Sequence, residues 1–371
     1  MPKSAPQTPL EGAAKVADAQ SGTGSSPVSP LEPTPQADDS PQAWIDRLRQ
    51  NPADPNLHLR LAQAYARARQ LPQALTSVEQ ALRFDPDLNE AYVTQGGLLG
   101  QMGRWPDAVR AYRESLRLVS KSLEVRYLLA EAYQKVYDWE KAAAVYTEIA
   151  TLSPEDQRAR LDHGSVLRRI GRLDDAAKEY EAALKLEGSP VEALRSLADI
   201  YGTLGRKDAL LAVCRRWSQA APDEPEAYRL LAQVYGETNR RTEQVAALRQ
   251  LVRLQPDNIA ALDSLYSALA ASGQWADAAE QARLLTRAAP AAPAEFVHLG
   301  TALEMLGNRA EAAEAYRSAV QLDGSQADAR LRLGLVLLAL GDRGSAFEEY
   351  QALVTLDKDR AAQLFAKLFP N

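Results

Sequence analysis

From residue 55 onward, apolar residues recur at helical spacing within a unit of 34 residues, and nine such units run to residue 360 without insertion or deletion. The eighth position of the unit is small in eight of nine cases: Ala62, Gly96, Ala130, Gly164, Ala198, Ala232, Gly300 and Gly334, with Tyr266 the exception. The eleventh position is always Tyr or Leu, from Tyr65 to Leu337, and the seventh is mostly Leu. Spacings of three, four and seven trace one face of a helix, so the first half of each unit is predicted to be helical, with a close helix contact at the small residue.

The fifteenth position carries Gly103, Gly171, Gly205, Gly273, Gly307 and Gly341, where a left-handed glycine ends a helix at little steric cost. A second apolar stripe starts at the twentieth position with Ala74, Ala108, Ala142, Ala176, Ala278, Ala312 and Ala346. It continues at the twenty-fourth with Tyr112, Tyr146, Tyr180, Tyr316 and Tyr350. Pro86, Pro154, Pro222, Pro256 and Pro290 then interrupt it in register. Each unit therefore reads as helix, turn, helix, break. Repeats five to seven deviate together: Leu210 and Gln244 are large where Ala is usual, Cys214 and Ala282 are small where Tyr is usual, and Tyr266 fills the close-contact position. Large and small residues are expected to have traded places there, with looser stacking.

Outside the units the pattern changes. Residues 1–40 hold seven prolines, no aromatic residue and little else that is apolar and bulky, and so are expected to be a disordered tail. Residues 41–54, with Trp44 at the bulky position, read as an N-terminal half-repeat or capping helix, and residues 361–371 as a C-terminal capping helix. Such ends are needed because a bare stacking face would be exposed to water.

The order of a large residue, Leu-Gly or Leu-Ala, Tyr, then Ala, Tyr and Pro resembles the tetratricopeptide repeat (TPR). Phe296, Leu299, Gly300, Leu303, Gly307, Ala312, Tyr316 and Ala319 show it well, although Gly324 replaces the proline. The resemblance implies an all-α, right-handed superhelical α-solenoid of nine repeats over 55–360, with first helices lining a concave groove. Positions two, five, six, nine, twelve and thirteen would then face a partner. In the second and third repeats they supply Thr94, Gly97, Gly100, Tyr127 and Glu131. In the middle they supply Arg158, Arg168, Arg169, Arg195 and Arg229 beside Asp162, Glu192, Asp199 and Glu226. These arginines are expected to form a mixed-charge binding surface, unless acids three or four positions away absorb them. Towards the end the lining turns apolar, with Leu331, Leu335 and Leu338, which either form an exposed patch or lie beneath the terminal helix. The Lys and Asn pair with which some family members grip a chaperone's terminal carboxylate is missing at positions five and nine, where Arg195 and Asp199, for instance, stand.

Composition narrows the function further. Forty-three Lys and Arg against forty-nine Asp and Glu give a net charge of −6, which is no basic footprint for nucleic acid. No apolar stretch is long enough to span a bilayer, and the first twenty residues lack the apolar core of a secretory signal, so a cytoplasmic location is expected unless a signal precedes Met1. No phosphate loop, dinucleotide fingerprint or zinc-protease motif is present, and no cofactor or metal is expected. His58, His163 and His298 sit at different repeat positions and are not expected to converge; Cys214 reads as a small buried residue. The expected function is a non-catalytic scaffold that binds partner proteins in the groove. An envelope or secretion assembly accessory and a regulatory subunit of an enzyme complex are the alternatives.

Overall fold

The structure is a computed structural model that describes residues 39–186, 188 and 190–370; the expected tail, apart from Asp39 and Ser40, lies outside the described residues. Among the described residues there are twenty helices and no strand. Numbered in chain order, α1 (Pro41–Gln50) precedes the repeats. The first helices are α2 (Pro55–Arg67), α4 (Asn89–Gln101), α6 (Leu123–Lys135), α8 (Gln157–Arg169), α10 (Val191–Thr203), α12 (Pro225–Glu237), α14 (Ile259–Ala271), α16 (Pro293–Met305) and α18 (Ala327–Ala339). The second helices are α3 (Leu71–Phe84), α5 (Trp105–Leu118), α7 (Trp139–Leu152), α9 (Leu173–Ala183), α11 (Lys207–Ala220), α13 (Arg241–Leu254), α15 (Trp275–Ala288), α17 (Arg309–Leu322) and α19 (Arg343–Leu356). α20 (Lys358–Leu368) closes the series. Every first helix begins at the first position of its unit and every second helix at the seventeenth, as an α-solenoid with a fixed repeat requires.

One backbone device sets this register. At the fifteenth position φ is positive in all nine units, between 57° and 87°. The next residue's N–H then reaches back to the carbonyl of the eleventh, as in Arg104 to Leu99 at 2.8 Å and Arg172 to Leu167 at 2.9 Å. This six-to-one bond satisfies a carbonyl left open by the helix end and turns the chain into the second helix.

The close contact expected at the eighth position is present. A β-carbon on Gly300 would lie 2.6 Å from Cε1 of Tyr316, and one on Gly164 would lie 3.0 Å from the Tyr180 ring, so the tyrosine of the second helix occupies the space the glycine vacates. In the seventh unit the sizes are exchanged: Tyr266 is buried where Gly or Ala is usual, and Ala282 is wholly buried where Tyr is usual. Cys214 and Trp217 of α11 are likewise enclosed, so the deviating repeats keep a filled interior.

Two departures from the register occur. α9 stops at Ala183, and Gly188, at φ 81°, stands where five other units have proline. α20 starts at Lys358 instead of residue 361, because Asp357 ends α19 and caps α20, accepting the N–H groups of Asp359 and Arg360 at 3.0 Å. The chain divides into two compact units, one ending at Thr94 and the other starting at Gln95. Within each unit, the helices in substantial contact are neighbours in the chain, apart from α18 with α20.

Candidate functional site

Within the larger unit, the charged residues singled out in the sequence fall on α6, α8, α10 and α12. Tyr127 on α6 donates from its hydroxyl to Asp156 Oδ2 at 2.6 Å, while Asp156 Oδ1 accepts the Ala159 N–H and caps α8. Arg158 lies 5.0 Å from the centre of the Tyr127 ring and 3.6 Å from Asp162 Oδ2. Burial raises the Tyr127 hydroxyl's pKa, and the bond to Asp156 raises it further. Burial likewise lifts the Asp162 carboxyl above its ordinary value; the Arg158 charge opposes this, and Glu192 and Asp156 add to it. Glu131 is half-buried on the same helix as Tyr127. Tyr127, Asp156, Arg158 and Asp162 thus form one polar cluster across two repeats.

The remaining arginines divide into two kinds. Arg229 is held within its own helix by Glu226 at 2.6 Å, as the sequence spacing allows. Arg168 and Arg195 instead reach acids beyond their own helices: Arg168 pairs with Asp199 of the next repeat at 2.8 Å, and Arg195 with Glu224, the last residue before α12, at 2.9 Å. Arg169 is not part of this series and stacks on the Trp139 ring at 4.7 Å. The paired side chains of Arg168 and Arg195 remain 44% and 61% exposed. Exposed pairs of this kind contribute about 0–1 kcal/mol, so a carboxylate on a bound partner can displace the internal one at little loss.

Of the two alternatives for the apolar residues near the end, an exposed patch does not form. Leu331 is buried, and Leu335 and Leu338 are half-buried. α20 packs on α18, its Leu364 fully buried and close against Gly334. Exposed apolar surface lies instead at Phe347, Phe365 and Phe369, which form an aromatic group with Tyr350; Phe365 and Phe369 are 4.9 Å apart. These residues fall outside the groove positions, so the repeat pattern carries no signal for them.

A second polar group joins two neighbouring repeats. Asp263 of α14 and Glu295 and His298 of α16 bring one ligand atom each to within 4.8 Å of one another. The group contains a single histidine and no short motif, because its members lie on two repeats. Its signal was Asp263 at position five and His298 at position six of the next unit. Elsewhere, His163 is buried with Nδ1 3.4 Å from Glu179, and the Cys214 thiol is fully buried, which pushes its pKa up to about 12. No helix among the described residues is long and apolar enough to cross a membrane.

The family profile described as tetratricopeptide repeat matches residues 38–89, 93–157, 161–225 and 297–363, and a second profile of that description matches 225–258. Among curated proteins, cytochrome c-type biogenesis protein CycH of Bradyrhizobium diazoefficiens is 32% identical over 117 residues, covering 31% of this chain and 32% of that protein. Anaphase-promoting complex subunit 3 of Schizosaccharomyces pombe is 24% identical over 179 residues, covering 48% of this chain and 27% of that protein. The chain thus spans no more than a third of the length of these relatives. Two solved structures are also similar. YrrB, a TPR protein with an unusual peptide-binding site, shares 18% identity at a TM-score of 0.36, covering 61% of this chain and 98% of that one. A tetratricopeptide repeat protein from Parabacteroides merdae shares 15% identity at 0.40, covering 80% of this chain and 99% of that one.

Proposed function

The chain belongs to the tetratricopeptide repeat family, and on that premise we propose that it is a non-catalytic, cytoplasmic scaffold that holds partner peptides or helices along its first helices. The observation that carries this reading is the stepwise pairing of Arg168 with Asp199 and of Arg195 with Glu224, which leaves two forked cations exposed at fixed positions. An acidic segment laid across α8 and α10 meets them in turn, and Tyr127, Glu131, Arg158, Asp162 and Arg229 extend the polar strip on either side. Leu335 and Leu338 supply a half-buried apolar contact farther along, whereas Leu331 contributes through packing.

Affinity purification with mass spectrometry identifies the partner, and the double substitution Arg168→Glu, Arg195→Glu then tests the strip. Recovery of the partner should fall roughly tenfold or more, each lost charge-assisted bond being worth about 1.5–3 kcal/mol. Unchanged recovery of a folded variant removes this face as the binding surface.

A second reading, an assembly accessory in the cell envelope, is favoured by the 117-residue similarity to the cytochrome c biogenesis protein. The compartment separates the two: purification of the native protein with envelope proteins from the membrane fraction supports the second reading and counts against the cytoplasmic one.

A further inference from the structure

We propose that Asp263, Glu295 and His298 form a binding site for a divalent transition-metal cation, with zinc the best-matched ion. Glu295 is 8% exposed, yet its Oε2 has no hydrogen-bond partner, and neither has the buried Nδ1 of His298. These two atoms face each other at 3.4 Å, and Asp263 Oδ1 lies 3.6 Å from the same nitrogen. A buried carboxylate oxygen facing the lone pair of a neutral imidazole is unfavourable unless a positive charge lies between them.

A proton on Nδ1, carried by the neutral Nδ1–H tautomer as well as by the imidazolium, would also relieve this contact. A charge-assisted N–H···O bond, however, draws its atoms to about 2.7–2.9 Å, shorter than either separation seen here. Ligands bonded at about 2.0–2.2 Å in tetrahedral directions stand about 3.3–3.6 Å apart, which matches both. One imidazole with two carboxylates is a donor set for zinc and its neighbours, in contrast to the all-oxygen sets preferred by magnesium and calcium.

The surroundings hold the ring in this orientation. His298 stacks on Tyr266 with ring centres 4.2 Å apart, and the Tyr266 hydroxyl donates to the His298 carbonyl at 2.9 Å. The exchange of large and small residues in the seventh repeat therefore places an aromatic platform beneath a ligand. Glu295 lies in the first turn of α16 and His298 one turn on, so both project from one face of that helix, while the side chain of Asp263, 46% exposed, approaches from α14. Three protein ligands leave a fourth tetrahedral position for water. This site is separate from the arginine strip and does not depend on how partners bind there.

The test uses the full chain, stripped with a chelator and titrated with zinc by calorimetry and with cobalt by its visible absorption. One saturable equivalent is expected, with a tetrahedral cobalt spectrum. Asp263→Asn, whose half-exposed side chain is not needed for folding, and Glu295→Gln should each weaken binding by roughly tenfold to a hundredfold while far-ultraviolet dichroism stays unchanged. No saturable binding by the native chain, or affinity unchanged from the native chain in both variants, overturns the site. Nitrogen NMR showing an Nδ1–H imidazolium that zinc does not displace also overturns it, leaving an imidazolium paired with two carboxylates.

Discussion

At the fifteenth position of each repeat the backbone turns left-handed, and three repeats do so without glycine: Arg69 at φ 60°, Tyr137 at 61° and Asn239 at 57°. A β-carbon in that region costs about 1–2 kcal/mol, whereas glycine adds about 0.5–1 kcal/mol of chain entropy to be lost on folding. Arg69→Gly should therefore raise stability by roughly 0.5–1 kcal/mol, measured as a shift in the urea midpoint. Asn239→Gly should gain less, because Asn tolerates this conformation. Glycine at the eighth position behaves in the opposite way. Gly300→Ala would drive a methyl group into Tyr316, whose ring is fully buried and whose hydroxyl lies 2.9 Å from Glu304 and 3.2 Å from Thr301. The ring has no room to swing aside, so a loss of about 1–3 kcal/mol is expected. A neutral result would mean that the repeat relaxes at the contact the glycine permits.

Individual helices show what the sequence made legible and what it did not. The helix starts were legible because a strict period fixes the turn, and the turn's hydrogen bonding recurs whether its residue is Gly103 or Arg69. The ends of the series were less so: the Asp357 cap that advances α20 to Lys358 is a local bond that outweighs the period. The candidate surface was legible only as a set of positions. Arg229 with Glu226 follows from helical spacing, but Arg168 with Asp199 joins residues 31 apart in sequence and Arg195 with Glu224 residues 29 apart. Such partners become neighbours only once helices stack, as do Asp263 and His298. On α8, Asp162 gives a prediction of its own. Because burial raises its folded-state pKa, with Arg158 opposing, its contribution to stability is present at low pH and is lost as pH rises through that pKa. Asp162→Asn should raise the denaturation midpoint at neutral pH and lose the advantage under acid conditions, where the native side chain is itself uncharged. A lowered midpoint at neutral pH would show that pairing with Arg158 outweighs burial.

Within the unit that starts at Gln95, the decisive fact is that substantial contacts join helices adjacent in sequence, with α18 to α20 the departure. Stability in such an array approximates a sum of repeat and neighbour terms, so damage at one end should stay local. α20 is the element that tests this. It buries Leu364 and Leu368, sets Leu364 close against Gly334, and accepts a bond from Arg343 to the Leu368 carbonyl. Removing residues 357–371 exposes the faces of α18 and α19 that these groups cover. Hydrogen exchange read by mass spectrometry should then show protection falling in α18 and α19 while α8 to α13 keep theirs. Loss of protection as far as α8 would mean that the repeats unfold as one cooperative body, and the ion pairs between first helices would then be part of a long-range coupling instead of a local seam. The same exchange map bears on the exposed aromatic group: Phe347 is on α19 and Phe365 and Phe369 are in the removed segment, so faster exchange in α19 than in α18 would identify the aromatic contact, rather than Leu364, as the tighter of the two seals.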